Sequence, residues 1–598
     1  MNSPSLSHPS LRPSAPLRLC VGILLSLLAL SLSSCRPADH APDPDTVYLT
    51  TARFRGFEPA LAGDDATLRA CGKIYETLYQ YDYWARPYRI EPLLAADAPT
   101  VSPDGLVWAI PVRPGIYFSD DPCFPGGRGR ELTADDFVYS FLRIADPAVG
   151  SSGYWIFRGK IAGLDDFRAR AAASGRADYD APPPGLRALD DRTLQITLAE
   201  PYPQLLWILA MPYAAAVPRE AVEHYGADFP NHPVGTGPYV LASMRQNHRY
   251  EYRANPAWTD PAHPRADSGP PDAPTPDAGR RLPLAPRIVE SVVGDASTAW
   301  LLFLSHALDK SGIGNDQWDS VIASTPDGPA LRPEIAARGI RLESSPTLAT
   351  SYYSFNFDDP VVGPNRALRQ ALAHAFDYAE WARFQNGRLL PANSVLPPGV
   401  AGYDPSDPLP YPFDLDRARA LLAEAGYPGG RDPATGRRLE LTLEIGNAES
   451  PEVRQAAELF ASFLDKIGVR LVPSYNNWPT FLKKIELRQA QMFGLIWLGD
   501  YPDAQNFLQL FYSPNVSPGP NRCNYVNPAF DALYDRLVAL PESPERAALC
   551  REAARMVMAD CPWIVTGYPL AFNLQQPRLR NSVRTDFPFG TEKYLAVR

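Results

Sequence analysis

The chain has 598 residues and a formal net charge of −10 at pH 7, and 45 % of its residues are hydrophobic. This length exceeds what one hydrophobic core usually covers, so two or three lobes are expected. An acidic chain in which 21 % of the residues are charged lacks the basic surface that nucleic-acid binding requires. The acidity is compatible with a cationic or zwitterionic solute.

The first 34 residues have the composition of a secretory signal peptide. Arg12 and Arg18 supply positive charge, and no acidic residue precedes residue 35. The apolar run Leu19–Leu32 follows, and its length of about 14 residues is too short to span a bilayer, which needs about 20. No other segment approaches membrane-spanning length.

The apolar run ends in the sequence LSSC, which resembles the lipobox of bacterial lipoproteins. This resemblance implies cleavage before Cys35, acylation of that residue and a lipid anchor that holds the mature chain at a membrane. Residues 35–44 are polar and proline-rich and form the expected tether. The alternative is an ordinary secretory signal in which the cysteine is incidental.

Strand and helix patterns alternate through the first half of the mature chain. The predicted helix Thr67–Tyr79 has Asp65 as its expected N-terminal cap. Thr133 and Asp136 form a capping-box pattern before a second helix. The strand-like runs, rich in branched and aromatic residues, are Val47–Thr51, Val107–Pro111, Leu194–Leu198 and Ile288–Val293.

Residues 260–286 interrupt this alternation, because they are rich in Pro, Asp and Ala and have few large apolar side chains. Such a segment cannot bury a core, so we expect a flexible, proline-rich surface loop.

The second half of the chain continues with longer helices. The predicted helices are Arg417–Ala425, entered through Asp414 or Asp416, then Pro451–Ile467 and Glu545–Met558, and the strand Val469–Val472 follows the second of them. The strand–helix–strand order favours mixed and parallel sheets covered by helices.

The mature chain offers little that would support catalysis or metal binding. Its histidines are scattered, with no His-x-x-x-His and no Cys-x-x-Cys, and it has no Gly-x-Ser-x-Gly elbow. We therefore expect no enzyme activity, no cofactor and no metal site. Five cysteines follow Cys35, so at most two disulfides can form within one chain, and the spacing does not define their pairing; they are Cys71, Cys123, Cys523, Cys550 and Cys561.

Seven segments, in order along nearly all of the mature chain, together carry a family resemblance. They are residues 57–82, 101–120, 131–141, 232–241, 352–377, 417–430 and 497–508, the last reading WLGDYPDAQNFL. The chain resembles the peptide- and nickel-type extracellular solute-binding proteins of ABC importers, in the oligopeptide- and dipeptide-binding branch.

The resemblance implies a mixed α/β fold of the type II periplasmic-binding-protein kind, with two hinged lobes and a smaller extra domain. Lobe I would take residues 45–86, 187–350 and 576–598, the extra domain 87–186, and lobe II 351–575. The lobes would close on solute by bending near Leu348–Tyr352 and Asn573–Leu579.

The same resemblance implies that Asp500 meets the α-ammonium group of a bound peptide. Trp497, Gly499 and Tyr501 would contact solute in the same cavity, where an aromatic wall accepts varied side chains. The alternative is that Asp500 or Asp503 caps the following helix, AQNFLQLF, and that Trp497 belongs to the core.

Two other segments would line the cleft by the same match. Tyr352 lies at the first hinge, on the strand face that also carries Ser354. The turn containing Gly63 and Asp65 would run beside an extended peptide and offer it backbone groups. The alternative for this turn is an exposed loop in which Asp65 only caps a helix.

The strand Gln491–Trp497 contains no basic residue, although a peptide carboxylate needs a cationic partner. Lys483, Lys484 and Arg488 are near it in sequence, and the sequence does not place them. Recognition of a fixed peptide length is therefore not expected.

The resulting prediction is a monomeric, lipid-anchored, extracytoplasmic receptor that captures peptides and delivers them to the permease and ATPase subunits of an ABC transporter. The alternatives are a non-peptide solute in the same fold, such as a nickel chelate, haem, an opine or a sugar, and an exported hydrolase.

Overall fold

The structure is a computed structural model that describes residues 42–258, 274–325, 328–447 and 450–597. The predicted signal peptide, Cys35 and most of the tether lie outside the described residues. No helix in the described ranges has both the length and the apolar character needed to cross a membrane.

Strands are short in most of the chain, and one strand near the C-terminus is much longer. They are β1 (Thr46–Thr51), β2 (Tyr79–Tyr81), β3 (Ile90–Pro92), β4 (Thr100–Val101), β5 (Val107–Pro111), β6 (Leu186–Asp190), β7 (Thr193–Thr197), β8 (Tyr239–Arg245), β9 (Arg249–Ala254), β10 (Arg287–Val292), β11 (Lys310–Gly312), β12 (Ile322–Thr325), β13 (Gly328–Leu331), β14 (Arg341–Pro346), β15 (Ala349–Phe355), β16 (Leu389–Leu390), β17 (Glu440–Ile445), β18 (Arg470–Tyr475), β19 (Met492–Leu498), β20 (Trp563–Gln575), β21 (Leu579–Arg580) and β22 (Ala596–Val597).

Helices cover the sheets and connect many of the strands. They are α1 (Asp65–Gly72), α2 (Ala134–Ala145), α3 (Leu164–Ser174), α4 (Leu205–Ile208), α5 (Arg219–Tyr225), α6 (Ala296–Leu304), α7 (Asn315–Val321), α8 (Pro333–Ala336), α9 (Arg366–His374), α10 (Tyr378–Phe384), α11 (Leu415–Glu424), α12 (Pro451–Asp465), α13 (Trp478–Glu486), α14 (Ala504–Leu508), α15 (Pro528–Ala539) and α16 (Pro544–Asp560).

Three larger sheets organise the chain. A four-stranded sheet with the order β1-β10-β9-β8 defines lobe I, and its β1–β10 pair is parallel. A second four-stranded sheet, β4-β5-β7-β6, defines the extra domain. The strands β15, β19, β17 and β18 define lobe II, where β17 is parallel to both of its neighbours.

Strand β20 connects the regions that the lobes occupy. Its C-terminal part pairs with β14 and β11, with Pro346 opposite Leu570, and its N-terminal part pairs with β15, with Ser351 opposite Gly567. The chain therefore passes into lobe II between β14 and β15 and returns along β20. These crossings lie beside the predicted hinge segments, and the hinge and the domain boundaries stay predictions.

The local signals for helix starts correspond closely to the observed helices. The Thr133–Asp136 capping box is present at the start of α2, and Asp414 caps α11. The helix predicted over Thr67–Tyr79 is wrong at both ends, since α1 spans Asp65–Gly72 and its cap is Asp64. Gly72, the last residue of the helix, leaves no room for a side chain, because the backbone of Gly590 lies against it and a Cβ atom would come within 2.7 Å of the Gly590 nitrogen.

The second part of the proline-rich segment 260–286 packs onto the protein, contrary to the expectation of a surface loop. Residues 259–273 lie outside the described residues. Leu282 and Leu284 are buried in a small aromatic cluster, and the buried Asp277 forms an ion pair with Arg580 at 2.9 Å. Two leucines and one paired aspartate are enough to fix a segment whose composition is otherwise that of a loop.

All five cysteines that follow Cys35 are free thiols in the described structure. Cys71, Cys523, Cys550 and Cys561 are at most 1 % exposed, and Cys123 is partly exposed. Burial withdraws the first four of these thiols from solvent.

Candidate functional site

Asp500 lies in the short loop between strand β19 and helix α14. The loop ends at Asp503, which is the N-terminal cap of α14 and accepts a hydrogen bond from the backbone nitrogen of Gln505 at 2.7 Å. Asp503 also forms a buried two-bond ion pair with Arg546, at 2.7 and 2.9 Å. The helix-capping role that the sequence left open between the two aspartates therefore belongs to Asp503 and not to Asp500.

Asn506 fixes the orientation of Asp500. The fully buried Asn506 side chain accepts hydrogen bonds at 3.0 Å from the Asp500 backbone nitrogen and from the Trp497 indole, and it donates one at 2.9 Å to the Asp500 carboxylate. The sequence did not indicate that Asn506 orients Asp500, because an asparagine within a helix can make many different hydrogen bonds.

The Asp500 carboxylate has no cationic partner among the described residues, and the Asn506 amide is the one side chain that bonds to it there. Burial raises the pKa of this carboxyl group to about 6, and the Asn506 hydrogen bond only partly opposes that effect. A carboxylate that is desolvated without a counter-charge is costly, and a cation that arrives from outside would relieve that cost.

Tyrosines from other parts of the chain surround Asp500. Its negative charge contributes to raising the pKa values of Tyr81, Tyr202, Tyr213 and Tyr501, for which burial is the largest cause. Tyr81 stacks on Phe587 at 4.3 Å, and its buried hydroxyl has no hydrogen-bond partner in the described structure. Sequence reasoning missed Tyr81 and Tyr213, since nothing in their neighbourhoods distinguishes them from core residues.

The two residues that precede Asp500 in the site, Trp497 and Gly499, are both half-buried. Trp497 is half-buried, and its ring packs onto the core of lobe II while its indole nitrogen bonds to Asn506. Gly499 is half-buried and closely packed, since a Cβ atom would lie 2.6 Å from the Leu348 side chain. Both residues shape the loop that presents Asp500.

Tyr501 is not at the cleft surface. Its side chain is 2 % exposed and belongs to the continuous core of lobe I and the extra domain, although its loop follows a lobe II strand. Its hydroxyl group hydrogen-bonds with Tyr202 at 3.0 Å and donates to Gln505 at 2.6 Å. The structure therefore assigns it an anchoring contact between lobes, and we do not retain it among the residues expected to touch solute.

Tyr352 is also withdrawn from solvent. Its side chain is 4 % exposed and stacks on Trp563 with ring centroids 3.5 Å apart. Strand β15 lies between β19 and β20. Tyr352 is nevertheless part of the lining of the lobe II cavity described below, so its contact with solute stays a prediction.

The turn before α1 is exposed. Gly63 has no side chain that would block a neighbouring extended chain. Asp64 caps α1 by accepting a hydrogen bond from the Thr67 backbone nitrogen at 2.8 Å. The Asp65 carboxylate forms an ion pair with Arg69 at 2.7 Å. The charge of Asp64 acts on Tyr213 together with that of Asp500, so this turn and the Asp500 loop approach the same tyrosine.

Two cavities face these segments. The lobe I cavity encloses about 810 Å³ and includes Asp64, Asp65, Arg69 and Lys310 in its lining. The lobe II cavity encloses about 310 Å³, and its lining contains Trp478, Gly494 and Ile496. The side chains of Trp478, Ile496 and Leu498 are 41 %, 54 % and 67 % exposed, so lobe II offers an apolar surface on strand β19 and helix α13.

The basic residues near strand β19 are all engaged elsewhere. Lys483 pairs with Glu486 at 3.4 Å on an exposed helix face, and Lys484 pairs with Glu444 at 2.8 Å. Arg488 pairs with Asp358 at 2.8 Å and also donates to the Ser517 carbonyl. None of the three lines the lobe II cavity.

The model of the family described as bacterial extracellular solute-binding proteins, family 5 Middle, matches residues 89–519. The chain belongs to this family. As a family 5 solute-binding protein of the ABC-importer type it has the mixed α/β periplasmic-binding fold, so the family and the fold predicted from the sequence are confirmed.

Relatives of similar length bind different solutes according to their names. Heme-binding protein A of Haemophilus influenzae is 27 % identical over 566 residues, covering 92 % of this chain and 91 % of the relative. Di/tripeptide-binding protein 2 of Pseudomonas aeruginosa is also 27 % identical, over 95 % of this chain and 96 % of the relative.

Solved structures share the fold at lower identity. HbpA2 from Haemophilus parasuis superposes with a TM-score of 0.72 at 23 % identity, over 92 % of this chain and 100 % of that structure. DppA from Helicobacter pylori, in complex with the peptide STSA, has a TM-score of 0.67 at 23 % identity, over 92 % and 98 %.

Proposed function

We propose that this family 5 protein captures peptides between its lobes through their free α-ammonium group, and that Asp500 is the counter-charge. The observation that carries this is the Asp500 carboxylate, which is oriented by Asn506 and surrounded by tyrosines but has no cation beside it in the described structure. A charge-assisted hydrogen bond to an ammonium group contributes roughly 1.5–3 kcal/mol.

The residues expected around the solute favour a peptide over a small inorganic cation. The exposed apolar side chains of Ile496 and Leu498 offer a surface for varied solute side chains, and Trp497, on the other face of the strand, would contact solute through the edge of its half-buried ring. The exposed turn at Gly63 and Asp65 offers backbone groups to an extended chain, a mode of recognition that confers affinity without reading sequence.

In this proposal the receptor acts as a monomer outside the cytoplasm, held at the membrane by a lipid on Cys35, and delivers solute to the permease and ATPase subunits of its importer. Solute contacts both lobes only in the closed form, so binding shifts the open–closed equilibrium towards closure.

Calorimetric titration with a defined pool of peptides of two to six residues tests the role of Asp500. We expect Asp500→Asn to weaken binding about tenfold, a loss of about 1.4 kcal/mol. Asp416→Asn is the matched control, because that side chain is 96 % exposed on lobe II. Unchanged affinity in the Asp500 variant would remove this residue from the site.

Native mass spectrometry of freshly purified protein tests the solute class. A retained peptide supports the proposal, whereas retained haem would favour the solute named for the Haemophilus influenzae relative. Cleaved products from a peptide pool would instead indicate a hydrolase.

A further inference from the structure

A third cavity lies beside the point where the chain crosses from strand β14 into strand β15. It encloses about 710 Å³, which is within the usual range of roughly 300–1,000 Å³ for small-molecule sites. Pro346 and Leu348 of this crossing are part of its lining, so we call it the crossing cavity. It shares no lining residue with the lobe II cavity and only Arg584 with the lobe I cavity. The crossing cavity is therefore a different space from the two cavities described above.

Segments from distant parts of the chain form the walls of the crossing cavity. One set of lining residues belongs to the β2–β3 loop, to the crossing itself and to residues 584–586, which follow strand β21. The other set belongs to lobe II and comprises loop 398–403, Pro502 and the start of helix α16. A ligand in this cavity would therefore contact lobe II and the crossing at the same time.

The interior of the crossing cavity is mainly apolar. Leu348, Val400 and Pro502 are buried residues of its lining, and Tyr88 and Tyr403 add half-buried aromatic rings. A surface of this kind takes up the apolar body of a ligand by the hydrophobic effect. Inorganic ions and strongly polar solutes such as sugars are disfavoured.

Arginines give the crossing cavity an excess of positive charge. Its lining contains four arginines and two carboxylates, which are Arg86, Arg89, Arg546, Arg584, Glu542 and Asp586. Arg546 is compensated by its buried ion pair with Asp503. Arg584 is compensated by Asp586, which lies 2.6 Å away. The two other arginines face one remaining acid, so the cavity has one uncompensated positive charge.

Arg86 and Arg89 have no carboxylate partner in the described part of the chain. The Arg86 guanidinium lies 4.3 Å from the centre of the Tyr88 ring and donates to the Arg584 carbonyl at 2.8 Å. The exposed Arg89 side chain makes no ion pair or hydrogen bond with a described residue. A carboxylate in the cavity would thus meet one oriented guanidinium and one that is free to turn towards it, and charge-assisted bonds of this kind are strong.

Asp586 connects the crossing cavity to the crossing of the chain. Its carboxylate accepts hydrogen bonds from the Leu348 backbone nitrogen at 3.1 Å and from the Tyr88 hydroxyl at 2.7 Å. The crossing, the β2–β3 loop and the C-terminal segment therefore meet at one carboxylate. A ligand beside it would contact the predicted hinge, where the chain has to bend when the lobes move.

We propose that the crossing cavity is a second ligand site, which binds an amphipathic carboxylate, a molecule with an apolar body and one acidic group that Arg86 and Arg89 hold. Because this ligand contacts lobe II and the predicted hinge together, it stabilises the arrangement of the lobes in which the cavity exists. In that arrangement Tyr501 is anchored in the core of lobe I, which is the form that we expect to bind peptide.

Occupancy of the crossing cavity should therefore raise the affinity for peptide, and peptide should raise the affinity for the carboxylate by the same factor. This coupling rests on the proposed peptide-binding function, whereas the site itself does not.

Fluorescence anisotropy with 1-pyrenebutanoate tests the site, and the neutral 1-pyrenebutanol is a probe with the same apolar body. Each probe is titrated with solute-free protein. We expect the carboxylate to bind wild-type protein about tenfold more tightly than the alcohol. Arg89→Gln should remove most of this difference, because it takes away the free guanidinium and leaves the apolar lining unchanged. The variant should fold, since Arg89 has no side-chain contact to lose, and circular dichroism checks this.

Three further variants locate the probe. Arg53→Gln is the matched control, since Arg53 is an exposed arginine that lines the lobe I cavity and not the crossing cavity. Ala547→Phe should weaken the binding of both probes, because a ring at this half-buried position of α16 fills part of the crossing cavity. Glu542→Gln should leave the carboxylate affinity unchanged or raise it, since it removes the one uncompensated acid. Should Ala547→Phe not fold, the Arg89 and Arg53 variants decide.

Equal affinity of wild-type protein for the two probes overturns the carboxylate site. A loss in Arg53→Gln as large as that in Arg89→Gln also overturns it, because the probe would then lie in the lobe I cavity. A loss of affinity in Glu542→Gln overturns the assignment of an anionic ligand.

Calorimetric titration with peptides in the presence of saturating 1-pyrenebutanoate tests the coupling, and we expect the peptide affinity to rise about fivefold. An unchanged peptide affinity overturns the coupling and leaves the site standing. Binding of the carboxylate without binding of any peptide overturns the proposed peptide function and not the site.

Discussion

At the scale of single residues, Asp500 is expected to have opposite effects on the stability of the protein and on its affinity for solute. The carboxylate that would attract an ammonium group is desolvated and has no counter-charge in the described structure, so burial raises its pKa from 3.8 to about 6. Sites that are built for a ligand often destabilise the empty protein in this way. The same residue should therefore lower stability and raise affinity.

We expect Asp500→Asn to raise the melting temperature of the empty protein at pH 8 and to have little effect near pH 4. A raised carboxyl pKa means that the folded protein holds this proton more tightly than the unfolded chain, so the residue's favourable contribution is present below about pH 4 and is lost as the pH rises through 6. Scanning calorimetry at both pH values measures this, and we expect a difference of roughly 1–3 °C at pH 8.

The protein must be freed of solute before this measurement, since bound ligand stabilises the wild type alone. Asp416→Asn controls for the general loss of one negative charge. A lower melting temperature for Asp500→Asn at pH 8 would contradict the view that this carboxylate is uncompensated.

The family resemblance singled out Asp500 in the sequence, and its contact with solute stays a prediction. The burial of the neighbouring tyrosines could not be predicted. Tyr352 and Tyr501 carry no signal for it, since a tyrosine suits a cleft wall and a core equally well. Their burial depends on strands and loops that are distant in sequence.

At the scale of secondary-structure elements, the buried pair of Asp503 and Arg546 holds α14 against α16. Both side chains are at most 3 % exposed, and Arg546 also donates to the Leu537 carbonyl at the end of α15. One arginine thus connects the segment that follows Asp500 to two helices of lobe II.

We expect Arg546→Leu to lower the free energy of unfolding by roughly 3–5 kcal/mol, because it leaves the Asp503 carboxylate buried without a partner. Urea denaturation measures this cost. Arg555→Leu on the same helix is the control, since the Arg555 side chain is 63 % exposed and its pair with Asp407 should contribute much less to stability. Equal losses in the two variants would contradict the argument.

Helix starts were predictable from the sequence because a cap is a contact within four residues. The box at Thr133 and the cap at Asp414 are of this kind. The need for a glycine at position 72, the last residue of α1, was not predictable, because it depends on the approach of Gly590 more than 500 residues away in sequence. Short-range hydrogen bonds are visible in a sequence, and long-range packing is not.

At the scale of the whole molecule, Tyr501 anchors the Asp500 loop in the core of lobe I and the extra domain. Length alone indicated more than one lobe, but neither this anchor nor the shared strand β20 could be inferred from composition or periodicity. The contact between Tyr202 and Tyr501 joins residues 299 positions apart. This contact is therefore one of the interactions that hold the lobes together.

We expect Tyr501→Ala to shift the empty protein towards an open form and to weaken peptide binding several-fold, because the closed, binding-competent fraction falls. Small-angle X-ray scattering should give a larger radius of gyration than for the wild type. Tyr501→Phe, which keeps the buried ring, should change it less. An unchanged radius in a folded Tyr501→Ala protein would show that the anchor does not control closure.

The buried thiols have a consequence for how the chain folds under oxidising conditions. Burial raises the pKa of Cys523 and of Cys561 to about 12, so almost no thiolate exists in the folded molecule to start disulfide exchange. A chain exported unfolded into an oxidising compartment has no such protection, and its cysteines can pair wrongly until the cores close. For such a chain, folding and oxidation are competing reactions, and rapid folding preserves the reduced thiols.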